Sequence, residues 1–246
     1  MSASSTARSK TAAKPTTTSA PPLTDASFVR FGGLAGILLA VTSLVTVAIY
    51  YIAVPAAQHL PLTDASTVLA SLAKQSTGSQ FFSGCYALIA FWALIGIVAV
   101  YYRVREAGQA WALFATIVGA IAAVGTIGAN IYQIAQIKYL VTLYATNKSL
   151  AIDSFGSPSP VNPLGLMSFA LTAVWFVILA TLMLRTNLPR LLAYLGYIAF
   201  ADLTFGFIVT VAGSVQLAIV AALIAGVVGG PAFWVWFGAL LWHEQD

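Results

Sequence analysis

Six long apolar segments alternate with short polar connections along the chain, and each has about the length that crosses a bilayer as a helix. A hydrocarbon core of about 30 Å requires roughly 20 apolar residues in α-helical conformation. The segments lie at about 29–54, 81–102, 110–133, 164–185, 191–212 and 216–241. The pattern therefore predicts an all-α, polytopic membrane protein whose six transmembrane helices form a single domain, residues 28–242.

Two further helical patterns lie outside these spans. The stretch YQIAQIKYLVTLY keeps helical spacing while it becomes amphipathic, so the third helix is expected to continue beyond the lipid to about Tyr144. Between the first two spans, LTDASTVLASLAK predicts a short amphipathic helix at the extracytoplasmic membrane interface, capped by Thr63 or Asp64. Its apolar face consists of Leu62, Ala65, Val68, Leu69 and Leu72.

Composition supports a membrane protein. Hydrophobic residues make up 60% of the chain, charged residues only 7%, and the mean hydropathy is +0.90. A soluble domain of this length would need many more charged side chains to cover its surface. The lipid bilayer is therefore the first partner that the sequence predicts, and the net charge of +4 is no reason to expect nucleic acid.

The lysines and arginines predict how the helices are oriented. With the N-terminus inside, eight basic residues lie on the inner side, and three, Lys74, Lys138 and Lys148, lie on the outer side. Because short cytoplasmic loops are enriched in Lys and Arg, both termini are expected in the cytoplasm of a bacterial inner membrane. Residues 1–27, rich in Ser, Thr, Ala and Pro, predict a disordered cytoplasmic tail.

Asp202 is the one acidic residue placed deep inside a predicted span, in the stretch IAFADLTFGF. It lies 12 residues after Arg190, or roughly 18 Å along a helix, which is near the middle of the hydrocarbon core. An ionised carboxylate at that depth needs a partner or a proton. No basic residue is expected at its level.

Three interpretations of Asp202 remain open, and the simplest is that its side chain faces the lipid. The last span contains Gly229, Gly230 and Pro231, and proline leaves the Val227 carbonyl without its helical partner, so a protonated Asp202 could donate a structural hydrogen bond to it. Alternatively, Asp202 and the broken helix form an intramembrane site for a proton or a ligand, as in many transporters.

A second polar group lies where the third span leaves the lipid. Asn130, Gln133 and Gln136 follow helical spacing, which predicts either a helix becoming hydrated at the interface or an outer vestibule for a polar ligand. Small residues at four-residue spacing, such as Gly32 with Gly36, predict close packing of helices within the chain, with homodimerisation as the alternative.

The motifs that identify common enzymes and cofactor sites are missing from the sequence. There is no phosphate-binding lysine loop, no H-E-x-x-H, no G-x-S-x-G, and no pair of acidic residues on one span. One cysteine, Cys85, and two distant histidines predict no metal site. No catalytic residue and no cofactor is expected, and an enzymatic activity is not favoured.

The C-terminal third resembles a family of bacterial six-span membrane proteins, the domain-of-unknown-function 4386 type. The similar stretches are LRTNLPRLLAYLGYI at 184–198 and PAFWVWFGALLW at 231–242, together with the six-helix layout. The resemblance implies an integral membrane protein and supplies no catalytic residues.

Two functions are therefore expected. The first is a non-enzymatic structural, assembly or regulatory component that contacts another membrane protein or a second copy of the chain. The alternative is a small transporter or proton-linked, channel-like protein whose path includes Asp202, and it predicts an internal cavity that reaches this residue.

Overall fold

The computed structural model describes residues 25–59, 64–155 and 160–243, and every regular element in these ranges is a helix. Six of the helices are long and apolar enough to cross a membrane. The prediction of an all-α, multi-pass membrane protein is confirmed at this level. The first helix begins at Asp25, so the end of the predicted tail is helical, while residues 1–24 lie outside the described part of the chain.

In chain order, the α-helices of the described ranges are α1 (Asp25–Ile52), α2 (Ala65–Lys74), α3 (Thr77–Val104), α4 (Gln109–Thr146), α5 (Lys148–Ser154), α6 (Thr172–Met183), α7 (Arg190–Val211), α8 (Val215–Leu223) and α9 (Gly230–His243). A π-helical turn, Leu166–Leu171, precedes α6, and a second one, Ile224–Gly229, joins α8 to α9 in a single span. The predicted extension of the third span is confirmed, because α4 continues to Thr146.

The six spans form a ring. Each packs against the next span along the chain, from α1 to α3, α4, α6 and α7, and α7 packs against α8. The last span closes the ring because α9 packs along α1. The ends of the helices that carry Arg30, Arg103, Arg105, Arg185 and Arg190 lie together and are called the basic end below.

The half of the ring next to the basic end is tightly packed. A Cβ atom placed on Gly33 would lie 2.7 Å from the carbonyl oxygen of Gly238, so α1 and α9 approach at backbone distance. A side-chain layer from four helices fills the centre, and its fully buried members are Val100, Val104, Leu179, Met183, Leu192, Phe233, Phe237 and Leu241. The bundle is therefore closed at this end.

The short helix α2 confirms its predicted cap but not its predicted surroundings. Asp64 accepts hydrogen bonds from the backbone N–H groups of Ser66 and Thr67, each 3.1 Å long, and from their hydroxyls, which lowers the pKa of its carboxyl to about 2. The apolar face, however, is buried against Ile137 and Leu140 of the α4 extension. Packing within the protein, not contact with lipid, therefore covers this face; Leu62 and Thr63 lie outside the described residues.

Candidate functional site

A cavity of about 730 Å³ lies inside the ring, and all six spans contribute to its wall. Along α3 the wall runs from Ser79 to Ile97, and along α4 from Gly119 to Ile137. Each run covers 19 residues, or roughly 27 Å of helix between its first and last residue. The cavity is therefore long, and its volume is in the range of about 300–1,000 Å³ that is typical of small-molecule sites.

Two tryptophans form the floor of the cavity on the side of the basic end. The rings of Trp175 and Trp234 are stacked, with their centroids 5.7 Å apart and an angle of 8° between their planes. Glycines make room for them, because a Cβ atom on Gly119 would lie 2.7 Å from Trp175 and one on Gly96 would lie 2.6 Å from Trp234. This aromatic floor rests on the closed apolar layer, so the cavity has no path through the basic end.

A polar cluster borders the cavity at the opposite end. Gln58 is buried, and its Nε2 donates to the hydroxyl of Ser71 over 2.9 Å and to the carbonyl of Gln75 over 2.8 Å. The hydroxyl of Ser79 donates to Gln58 Oε1 over 2.5 Å. These bonds hold the loop after α1 against α2 and α3, so Gln58 forms part of the cavity wall at this end.

Both π-helical turns form part of the wall. Ser168 and Phe169 come from the first turn, and Gly226 and Gly229 from the second. Asn162 supports the first turn by donating from Nδ2 to the Ser168 hydroxyl over 2.9 Å and accepting from a backbone N–H at Oδ1. A π turn inserts one extra residue into a helix and is frequent at functional sites.

Asp202 projects from α7 into the cavity wall between the buried residues Ala199 and Leu203. Its Oδ2 atom is buried and has no hydrogen-bond partner among the described residues. No other charged side chain in the described part of the chain lines the cavity. Asp202 thus lines an otherwise uncharged cavity, while its Oδ2 atom is enclosed by protein and has no partner.

No hydrogen bond between Asp202 and the carbonyl of Val227 is found among the described residues, and the contact stays a prediction. The π turn changes which carbonyl the proline leaves free. The N–H of Gly230 bonds to the carbonyl of Ala225, five residues earlier, so in this register the residue opposite the missing N–H of Pro231 is Gly226 and not Val227.

The structure brings residues from the two predicted sites to one cavity. Gly229 and Gly230 line it together with Asp202, and so do Asn130 and Gln133 of α4. Gln136 and Pro231 are not in the wall, and Pro231 is buried among the helices. Asn130 also donates from Nδ2 to the carbonyl of Thr126 over 2.8 Å, while the exposed Gln133 marks a mouth.

Several wall residues escaped the sequence analysis. Trp175 has the sequence context of an ordinary span residue, the position of Trp234 toward a span end favours an interfacial aromatic belt, and Gln58 is part of a short loop without a motif. The sequence did contain weak signals of these residues. Gln58 is a polar residue between two apolar stretches. Gly96 and Gly119 lack a side chain, and this leaves space for a large ring on the neighbouring helix.

Comparison with family models, curated proteins and solved structures finds no match. The resemblance of 184–198 and 231–242 to a bacterial six-span family stays a prediction. What the site can do must therefore be argued from its own chemistry. An unpartnered acidic group, an apolar wall and an aromatic floor together favour a cationic ligand with an apolar body.

Proposed function

We propose that the protein is a small transporter of the bacterial cytoplasmic membrane that binds a lipophilic cation in the central cavity, with Asp202 as its counter-charge. The observation that carries the proposal is the buried, unpartnered Oδ2 atom of Asp202 in the wall of a large cavity. The aromatic floor supports it, because the faces of tryptophan rings attract cations. A structural or assembly component would need neither the cavity nor the unpaired carboxyl group.

The energy of the unpaired group supports the same conclusion. An acidic side chain at mid-membrane depth costs about 2.5–3.5 kcal/mol on insertion scales. A bound cation would offset that cost, since two opposite charges 4 Å apart attract by about 4 kcal/mol at an effective dielectric constant near 20. Part of this attraction is lost because the cation leaves water. We expect a net contribution of about 1.4 kcal/mol or more, which is a tenfold change in affinity.

The distribution of basic residues supports one orientation of the protein in the membrane. We propose that the basic end faces the cytoplasm, as the excess of Arg and Lys in the inner loops predicts. The closed layer then lies toward the cytoplasm and the polar mouth near Gln133 toward the outside. A transporter in this arrangement is open outward and closed inward.

The test is equilibrium binding of radiolabelled tetraphenylphosphonium, a lipophilic cation, to the full chain in lipid nanodiscs. We expect saturable binding that Asp202→Asn weakens at least tenfold, because the amide keeps the size of the side chain and removes its charge. Asp153→Asn, which neutralises an exposed acid at the end of α5, is the matched control and should leave the affinity unchanged. Equal affinities for wild type and Asp202→Asn would reject the proposal.

A further inference from the structure

The cavity reaches the outer surface of the ring at mid-height, between α7 and the last span. Ile198 of α7 and Ile224 of the last span both line the cavity, although their side chains are 59% and 48% exposed. Each belongs to the outward face of its helix. Ile198 continues the exposed series Leu191, Tyr194, Phe205 and Ile208 at helical spacing, and Ile224 continues Leu217, Val220, Val228 and Val235.

An opening at this height faces hydrocarbon. Ile198 lies 8 residues after Arg190, or roughly 12 Å along α7 from the basic end, and Asp202 is one helical turn further. Above the opening the two helices meet, since a Cβ atom on Gly206 would lie 3.2 Å from the Cβ of Ala221. The opening is therefore a window with protein above it and lipid outside it.

The second π turn forms one side of this window. Gly226 lies in the cavity wall, and a Cβ atom built on it would have no heavy atom within 4 Å. By contrast, the helical glycines of the closely packed half of the ring, of which Gly33 is an example, would place a Cβ atom against a neighbouring helix. Gly226 thus leaves empty space where its counterparts pack.

From these observations we infer that the cavity takes up its ligand sideways from the bilayer, through the window between α7 and the last span. The inference rests on the proposed function and narrows its substrate class to a membrane-dissolved, cationic amphiphile. The cationic group reaches Asp202 directly at the window, while the apolar body enters the cavity without passing through water. The mouth at Gln133 then connects the same cavity to the polar side.

The kinetic test uses tetraphenylphosphonium and the full chain in nanodiscs, with tryptophan emission followed by stopped flow, because Trp175 and Trp234 line the cavity. Gly226→Leu should slow both association and dissociation at least tenfold by filling the window. Gly84→Leu is the matched control, since Gly84 also has open space around it but lies outside the wall, and its rates should equal those of wild type. If Gln133→Trp slows binding and Gly226→Leu does not, the ligand enters from water and the inference is wrong.

A second measurement needs no ligand and separates this inference from the proposed function. In a Cys85→Ala background, a nitroxide on Ala222→Cys reports from inside the cavity. Collisions with oxygen, which concentrates in lipid, should become fewer when Gly226→Leu fills the window, whereas collisions with the water-soluble nickel complex of ethylenediaminediacetate, which enters at the mouth, should not change. Oxygen collisions that Gly226→Leu leaves unchanged would overturn the lateral window, whether or not the lipophilic cation binds. Fewer oxygen collisions without cation binding would keep the window and reject the proposed ligand.

Discussion

Replacing Asp202 with leucine should make the protein more stable. The Oδ2 atom is buried without a partner, and an unsatisfied buried polar group costs about 1–3 kcal/mol. Asp202 as a whole is partly exposed, so the lower end of that range applies. A leucine side chain would instead extend the apolar wall beside Ala199 and Leu203. We expect a gain of about 1 kcal/mol, which is a rise in melting temperature of roughly 2–4 °C for a chain of this size.

The assay is thermal unfolding of the full chain in detergent, followed by tryptophan fluorescence. Asp153→Leu is the control, because this exposed acid should change stability by less than about 0.5 kcal/mol. Adding tetraphenylphosphonium should make the melting temperature of the wild type higher than that of Asp202→Leu. At 100 times its dissociation constant a ligand stabilises the wild type by about 2.7 kcal/mol, while Asp202→Leu gains little. A clear fall in the melting temperature of ligand-free Asp202→Leu, with Asp153→Leu unchanged, would mean that Asp202 holds the fold together, and the reasoning would be refuted.

Three other outcomes are expected. Gly33→Ala should lower stability by about 1–3 kcal/mol because its methyl group meets the Gly238 carbonyl, whereas Gly84→Ala, in open space, should not; thermal unfolding of both variants checks this. Asp64→Ala should speed hydrogen exchange throughout α2 at pH 7. The pKa of Asp64 is lowered from 3.8 to about 2 in the folded protein. Its capping contribution to stability is therefore complete above pH 4 and is lost only as the pH falls through about 2. The backbone amides of α2 in the wild type should accordingly stay protected from exchange between pH 7 and pH 4. A green fluorescent protein fused after residue 246 should fluoresce, and a periplasmic alkaline phosphatase at the same position should be inactive, if both termini are cytoplasmic.

The number of spans could be predicted from the sequence because hydropathy acts on each helix separately. A helix of about twenty apolar residues is stable across the bilayer whatever helices lie beside it. The extension of α4 to Thr146 followed from its helical spacing for the same reason. For α2, the apolar face could be predicted, but the surface that covers it could not. Lipid and the surface formed by Ile137 and Leu140 are both apolar, so a helix that packs against either one has the same sequence pattern.

The site was harder to predict because it depends on register. A proline in a straight α-helix frees the carbonyl four residues earlier, and Val227 follows from that count. The π turn at Ile224–Gly229 adds a residue, so the carbonyl that lacks its helical partner is that of Gly226. The sequence does not indicate this change in the hydrogen-bond register. The approach of Asn130 and Asp202 to the same cavity is likewise a property of the closed ring, in which α4 and α7 are not sequence neighbours.

The two π turns also explain why a cavity exists in a bundle that is otherwise packed at backbone distance. Each turn interrupts the α-helical register in the half of a span that lines the cavity, one before α6 and one before α9. The first is preceded by Leu164 with a φ angle of 52°, a left-handed conformation that costs a non-glycine residue about 1–2 kcal/mol. Folding alone would favour removal of the open space beside Gly226 and of the unpaired Asp202 oxygen, and both belong to the wall of the same cavity. The proposed ligand, which would fill the cavity and pair with Asp202, would account for these two features together.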